Sequence, residues 1–168
     1  MKEKAIDFFR KIKPYILPYS ICIAIPLTVG IISAALTKDN MSVYDTLTTP
    51  PLSPLALVFP IVWSILYILM GISSALIYTN RERCPDSAKR GLGYYGISLV
   101  LNFIWSIIFF NLQAALLALG VLILLLYCII KTVLEYRKVF PTAAYLQIPY
   151  AIWVAFAGYL NAGIWLLN

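Results

Sequence analysis

The chain has 168 residues, of which 62% are hydrophobic and only 12% are charged. Soluble domains average about 25% charged residues, so a domain of this size and composition could not hide its apolar surface from water. The composition excludes an ordinary soluble enzyme and predicts a protein whose main solvent is lipid. The net charge of +6 raises nucleic acid as a partner, but the placement of the basic residues argues against it.

Four long stretches contain no Asp, Glu, Lys or Arg, namely residues 14–37, 46–80, 91–130 and 139–168. A membrane-spanning helix needs about 20 apolar residues, so the third stretch is long enough for two helices, separated near Asn111. We predict an all-α fold, an integral membrane bundle of five transmembrane helices, forming a single domain over residues 1–168. The predicted helices span residues 15–36, 57–79, 92–110, 114–134 and 143–167.

The basic residues are distributed unevenly about these helices. Twelve of the 13 precede the first helix, lie between the second and third, or flank the link between the fourth and fifth, and the exception is Lys38. Cytoplasmic loops are enriched in Lys and Arg, so this pattern predicts an inside N-terminus and an outside C-terminus, with the basic side chains facing anionic lipid rather than nucleic acid. Residues 1–13 alternate charged and apolar side chains, which predicts a short amphipathic interfacial helix. Residues 81–90 are expected to form a polar inner loop.

The longest predicted outer segment, residues 37–56, contains a proline cluster. Pro50, Pro51 and Pro54 cannot continue a helix and stiffen the chain. We interpret this segment as a lid over a pocket, and a solvated linker is the alternative. The next helix carries aromatic residues four apart, at 59, 63 and 67, so one face of it is aromatic.

Polar residues recur inside the third helix, where they are expensive in hydrocarbon. Asn102, Ser106, Phe109 and Gln113 lie close to one stripe, which we expect to face the bundle interior. The stripe serves either as interhelical hydrogen bonds or as the polar wall of a pocket, and composition alone does not separate the two. The fifth helix has one face that carries both aromatic and polar residues. Its members are Tyr150, Trp153, Ala157, Leu160 and Asn161.

Catalytic and metal-binding constellations are not evident in the sequence. It contains no histidine, which removes the commonest haem ligand, zinc ligand and neutral-pH proton shuttle together. Cys22, Cys84 and Cys128 lie in different segments, and every Asp and Glu lies at or beyond a predicted helix end. We therefore predict no catalytic residues, no metal site and no required cofactor. The many aromatic residues favour a cavity for a flat hydrophobic molecule, although they could instead only pack helices.

Three ordered motifs resemble those of the TspO/MBR family, which comprises tryptophan-rich sensory proteins and translocator proteins. They are FPIVWSILYILMG at residues 59–71, LNFIWSIIFF at 101–110 and PYAIWVAFAGYLN at 149–161. The resemblance covers nearly the whole chain and implies a five-helix bundle that binds porphyrins such as protoporphyrin IX. Some members also bind cholesterol or benzodiazepine-type ligands, and members commonly form homodimers.

The resemblance places the pocket under the first loop, between the first, second, third and fifth helices. By position, the ligand-binding residues would be Phe59, Trp63, Asn102, Trp105, Ser106, Trp153 and Ala157. The leading hypothesis is a porphyrin receptor or sensor in a bacterial plasma membrane. The alternatives are light-dependent porphyrin degradation and the transport of porphyrin or other amphiphilic molecules. Degradation is disfavoured because Leu52 stands where the loop of many members has tryptophan. The spacings Gly71-x-x-x-Ala75 and Gly93-x-x-Gly96 permit close helix contact.

Overall fold

The computed structural model describes the backbone of residues 2–40 and 43–168, and the side chains of residues 15–40, 44 and 46–168. Five long helices make up most of these ranges, which contain no strand. They are α1 (Lys2–Thr37), α2 (Val58–Thr79), α3 (Pro85–Ser106), α4 (Ala115–Val139) and α5 (Pro141–Leu167). Each helix includes a segment long and apolar enough to cross a bilayer. The predicted all-α membrane bundle is confirmed.

The helices pack in a ring that does not follow chain order. Helix α1 lies against α2, α2 against α5, α5 against α4 and α4 against α3, and α3 closes the ring on α1. Large apolar side chains point outward all round this ring, among them Ile31, Ile123 and Ile152, each about two-thirds exposed. Hydrocarbon does not penalise such surface, so outward leucine and isoleucine are expected of a bundle whose solvent is lipid.

Polar side chains point inward instead and join the helices by hydrogen bonds. The Gln147 side-chain amide on α5 donates to Ser73 Oγ on α2 over 3.2 Å. Ser73 Oγ in turn donates to the backbone carbonyl oxygen of Ala143 over 2.7 Å. Both side chains are fully buried. Within a membrane a buried polar group has no water to bind, so these contacts satisfy Ser73 and tie α2 to α5.

Helix α3 begins at Pro85, seven residues before the predicted start at residue 92. The polar inner loop expected at 81–90 is therefore wrong: only a short 3₁₀ turn, Arg81–Arg83, precedes the helix. Pro85 suits a first helical turn because its fixed φ is already helical and its missing N–H needs no partner there. Gly91 lies within the helix, and Tyr136 of α4 packs closely on it, since an added methyl group would come within 2.7 Å of the Tyr136 ring.

Helix α1 also begins earlier than expected. The backbone is one continuous helix from Lys2 to Thr37. The prediction of a separate interfacial helix over residues 1–13 is therefore wrong, because residues 2–13 belong to α1. Pro18 and Pro26 both lie within it. The amphipathic character predicted for residues 1–13 concerns side chains outside the described set.

The C-terminal end of α3 departs from α-helical geometry; it lies on the side of the bundle that carries the α1–α2 loop, which we call the outer end as a label only. Residues Ile107–Asn111 form a π-helical turn, and the chain then breaks before α4. Gln113 lies in this break with a positive φ of 51°, and its side chain is exposed. The expectation that Gln113 continues the interior stripe of Asn102 is wrong, because the wider turn and the break take it out of helical register.

Candidate ligand-binding site

The loop between α1 and α2 is fastened to α5. The backbone N–H of Thr48 donates to Asn168 Oδ1, and Asn168 Nδ2 donates to the Thr48 carbonyl oxygen, each over 3.0 Å. The Tyr159 hydroxyl donates to the Pro51 carbonyl oxygen over 2.9 Å. Pro50 packs on Gly163, where an added methyl group would come within 2.5 Å of the proline ring. A glycine at position 163 is what allows the loop to lie this close to the helix.

Tyr44 packs the first part of this loop against the helix bundle. It belongs to a single helical turn, Val43–Thr46, and is only 8% exposed. Its ring meets the Phe59 ring edge-on, with 5.2 Å between centroids. Its hydroxyl is buried and has no hydrogen-bond partner among the described residues. The loop therefore covers the outer end of α2 with an aromatic side chain.

A cavity of about 330 Å³ lies between α1, α2 and the outer end of α3, and no described residue of the loop lines it. We call it the inner cavity. Its aromatic wall consists of Phe59, Trp63, Tyr67, Trp105 and Phe110. Its polar groups are hydroxyls, from Ser33, Thr37, Ser64 and Ser106 on the three helices. Pockets for small molecules typically hold about 300–1,000 Å³ and have this composition, apolar and aromatic with a few polar groups.

The rings of the wall are held in place by each other and by two asparagines. Trp63 stacks on Tyr67, with centroids 5.5 Å apart, and lies 6.4 Å from Trp105. Asn102 Nδ2 donates to the Tyr67 hydroxyl over 3.1 Å. Trp105 Nε1 donates to Asn161 Oδ1 over 3.2 Å. Both asparagines are 1% exposed, so they lie behind the aromatic wall and orient it.

The predicted residues of the fifth helix lie behind the inner cavity. Ala157 lines a small void of about 20 Å³ together with Phe59 and Trp105. Trp153 meets the Phe59 ring at 5.9 Å between centroids, and its Nε1 is buried with no partner in the described part of the chain. The cavity is thus bounded by α1, α2 and α3, and α5 supports Phe59 and Trp105 from the other side.

The comparison with known proteins agrees with the motifs and the bundle. The profile of the TspO/MBR family matches residues 22–166. This protein belongs to the TspO/MBR family. It is 36% identical to the tryptophan-rich protein TspO of Chlorobaculum tepidum, over 91% of this chain and 97% of that one. It is 32% identical to the translocator protein of Bos taurus over 84% of each chain. It is 35% identical to the protein CrtK of Rhodobacter capsulatus, over 74% of this chain and 78% of that one.

In this TspO/MBR protein, four of the seven predicted site residues line the inner cavity together: Phe59, Trp63, Trp105 and Ser106. The other three are Asn102, Trp153 and Ala157, which lie in the layer behind. Leu52, at the loop position where tryptophan is expected, has a φ of 68° and is 83% exposed. An aliphatic side chain there points away from the cavity.

The sequence prediction placed the first helix beside the pocket but named none of its residues. Gly30, Ser33, Ala34 and Thr37 all line the inner cavity. The ring of Tyr67 packs directly on Gly30, where a side chain would collide with it. These positions follow the spacing i, i+3, i+4 and i+7, which places them on one helical face. In the sequence, the feature that indicates this cavity-lining face is a stripe of small residues in a helix whose other apolar residues are bulky.

A second and larger cavity lies beside the first, on the other side of the π-helical turn. This outer cleft holds about 910 Å³ and lies between the outer ends of α4 and α5, below the loop. Leu116, Leu117 and Leu124 line it and are more than half exposed, so the cleft opens to the surrounding lipid. Gln113 and Asn168 supply polar groups at its outer end.

Proposed function

We propose that this protein is a membrane receptor or sensor that binds a porphyrin of the protoporphyrin IX type under the first loop. The observation that carries the proposal is the inner cavity, an aromatic-walled space at the end of the bundle where the first loop is fastened to α5. Flat apolar ring systems stack on such walls, and stacked aromatic pairs contribute about 0.5–1.5 kcal/mol beyond their buried area. A relative in Cereibacter sphaeroides, 29% identical, is named tryptophan-rich sensory protein, which is consistent with a sensing role.

The proposed ligand-binding residues remain the seven of the sequence prediction, in two layers. Phe59, Trp63, Trp105 and Ser106 contact the ring, whereas Asn102, Trp153 and Ala157 position them. None of the described residues lining the inner cavity is charged. The porphyrin carboxylates would therefore stay at the outer rim, near Thr37 and the adjacent Lys38. With no histidine in the chain, binding would depend on the ring rather than on an iron ligand, and no further cofactor is required.

The test is a titration of the purified protein in detergent with protoporphyrin IX in the dark, followed by tryptophan quenching. We expect saturable quenching. A Trp63→Leu variant should bind about tenfold more weakly, since it loses stacking against the ring, and its binding is followed by porphyrin absorption. Tyr145→Phe is the matched control, because Tyr145 is 61% exposed at the opposite end of α5. If Trp63→Leu and Tyr145→Phe bind protoporphyrin IX with equal affinity, the porphyrin does not stack on Trp63 in the inner cavity.

Illumination of the same complex separates the receptor from the degrading enzyme. We expect no protein-dependent porphyrin product, because the loop presents the exposed Leu52 where an indole would be needed. New absorption bands that require the protein would instead favour the alternative of light-dependent degradation, with Trp63, Trp105 or Trp153 exchanging an electron with the porphyrin. Protein-dependent passage of porphyrin across a liposome membrane would favour the transport alternative.

We also propose that the chain resides in a bacterial plasma membrane with its N-terminus inside, on the strength of the uneven basic residues. Single-cysteine variants test the orientation. A cysteine at Leu52, in the exposed loop, should react with a membrane-impermeant maleimide on intact cells. A cysteine at Arg81, exposed at the opposite end of the bundle, should react only after lysis. The reverse pattern would refute the orientation.

We propose a homodimer that uses the outward face of α3. Gly93 and Gly96 have nothing within 4 Å of an added methyl group, so a second copy has room to approach there. Gly71 is different: an added methyl group would come within 2.5 Å of Ile23 in α1. The spacing Gly71-x-x-x-Ala75 therefore serves the close contact of α2 with α1, and the proposed dimer face does not include it. Gly96→Trp should convert dimer to monomer in light scattering, and an unchanged mass would contradict the proposed face.

A further inference from the structure

Three cavities form one series through the outer half of the bundle. The inner cavity, the small void of about 20 Å³ and the outer cleft follow one another and share lining residues. Phe59 and Trp105 line both the inner cavity and the void. Tyr44 lines both the void and the outer cleft. Phe110 lines all three, so its side chain lies where the two larger cavities approach each other.

Phe110 stands on the irregular turn at the end of α3. It belongs to the π-helical turn Ile107–Asn111, a geometry that often marks functional sites. Its ring meets the Phe109 ring edge-on at 5.0 Å between centroids and the Trp105 ring at 6.2 Å. The side chain is only partly buried. Because cavities lie on several sides of it, the ring has space to turn that a close-packed core residue lacks.

We propose that Phe110 sets the size of ligand that the site accepts. This inference rests on the porphyrin-binding function proposed above. A planar aromatic of two fused rings would occupy the inner cavity with Phe110 in place. A tetrapyrrole would need the Phe110 ring to turn aside and would then lie partly in the inner cavity and partly in the outer cleft. The inner cavity, at about 330 Å³, is near the lower limit of small-molecule pockets, whereas the two cavities together are ample.

The lining of the outer cleft suits the part of a macrocycle that would enter it. Its wall is mainly leucine, with Leu116, Leu117 and Leu124 facing the space, which matches the apolar edge of a porphyrin. Gln113 adds an amide at the outer end, whereas the Asn168 amide is already engaged with Thr48. The buried hydroxyl of Tyr44, with no partner among the described residues, lies between the two cavities as a further donor.

The experiment compares two probes on three variants of the full chain in detergent. The probes are protoporphyrin IX and 1-aminonaphthalene, which has two fused rings. Phe110→Ala removes the ring that lies between the inner cavity and the outer cleft. Gly120→Phe fills the outer cleft from α4, because an added methyl group at Gly120 meets nothing within 4 Å. Gly158→Phe is the matched control, because Gly158 also has open space and lines none of the three cavities.

We expect Phe110→Ala to bind protoporphyrin about tenfold more tightly, if the turned-aside conformer is populated at about 10% in the parent protein. Gly120→Phe should weaken protoporphyrin at least about tenfold, since it occupies the space that the macrocycle needs. Gly120→Phe should change 1-aminonaphthalene binding no more than Gly158→Phe does, whereas Phe110→Ala removes one ring of the inner cavity's wall and should weaken that probe.

Two contrary results have different meanings. If Gly120→Phe binds protoporphyrin as Gly158→Phe does, the macrocycle does not use the outer cleft and the role of Phe110 is overturned while porphyrin binding stands. If the parent protein shows no saturable protoporphyrin binding, both proposals are overturned. Should Phe110→Ala fail to fold, the Gly120→Phe comparison still decides the question.

Discussion

Replacing Gly71 by alanine is expected to push α1 and α2 apart. A Cβ atom at Gly71 would lie 2.5 Å from Ile23 Cα and 2.9 Å from the Cys22 carbonyl oxygen. Non-bonded carbon atoms pack at about 3.5–4.0 Å, so a shift of about 1 Å is needed. Both neighbours are backbone atoms of α1, and no rotamer change can relieve the contact. The helix itself must move.

Alanine at position 71 changes two contributions to the free energy of unfolding, the packing between α1 and α2 and the helix propensity of the residue. Overpacking a well-packed interface costs about 1–3 kcal/mol. Alanine also favours a helix over glycine by up to about 1 kcal/mol, which hides part of that cost. Gly158→Ala removes the ambiguity, because Gly158 is helical with nothing within 4 Å of an added methyl group. The difference between the two variants therefore measures the α1–α2 clash alone.

Thermal unfolding in one detergent, followed by helical circular dichroism, gives that difference. For a chain of 150–250 residues, about 1 kcal/mol shifts Tm by about 2–4 °C. Gly71→Ala should therefore unfold about 2–12 °C below Gly158→Ala. It should also bind protoporphyrin more weakly, because α1 and α2 bound the inner cavity. Coincident unfolding curves for the two variants would refute the packing argument.

Three other changes test separate parts of the site. Asn168→Ala removes both hydrogen bonds to Thr48, so stopped-flow measurements should show faster porphyrin dissociation, and an unchanged rate would mean that the fastening of the loop does not limit release. Asn102→Leu leaves the Tyr67 hydroxyl without its donor and should destabilise the bundle by about 0.6–2 kcal/mol; an unaltered Tm would contradict this. Lys38→Gln should weaken protoporphyrin but not its dimethyl ester, and equal losses for the two ligands would remove Lys38 from the carboxylate rim.

The five helices and one aromatic face could be predicted because the membrane imposes simple requirements. Every backbone polar group in hydrocarbon needs an internal partner, so long uncharged segments become helices. The four-residue spacing of Phe59, Trp63 and Tyr67 then fixes one face. The structure shows Trp63 and Tyr67 stacked, with Phe59 and Trp63 beside the same cavity. Both features depend only on residues close together in the chain, so the sequence of one segment is enough to predict them.

The start of α3 could not be predicted because charge is a poor guide to helix ends outside the hydrocarbon. Arg90 lies in the helix rather than in the expected loop, and its guanidinium pairs with Glu135 of α4 over 3.3 Å. Glu135 also accepts from Lys138 over 2.9 Å. A helix extended into the aqueous phase is stabilised by its neighbour, and that neighbour is 45 residues away in the chain. Sequence patterns within one segment carry no information about such a partner.

The buried asparagines answer a question that the sequence left open, whether the polar stripe serves as interhelical hydrogen bonds or as a pocket wall. Asn102 donates to Tyr67, and Asn161 both accepts from Trp105 and donates to the Ala115 carbonyl oxygen over 2.7 Å. These contacts fix the aromatic rings, and neither asparagine lines the inner cavity. The inner cavity is left with hydroxyls as its polar groups. This lining matches the proposed function, in which an apolar ring system occupies the cavity and its charged groups stay outside.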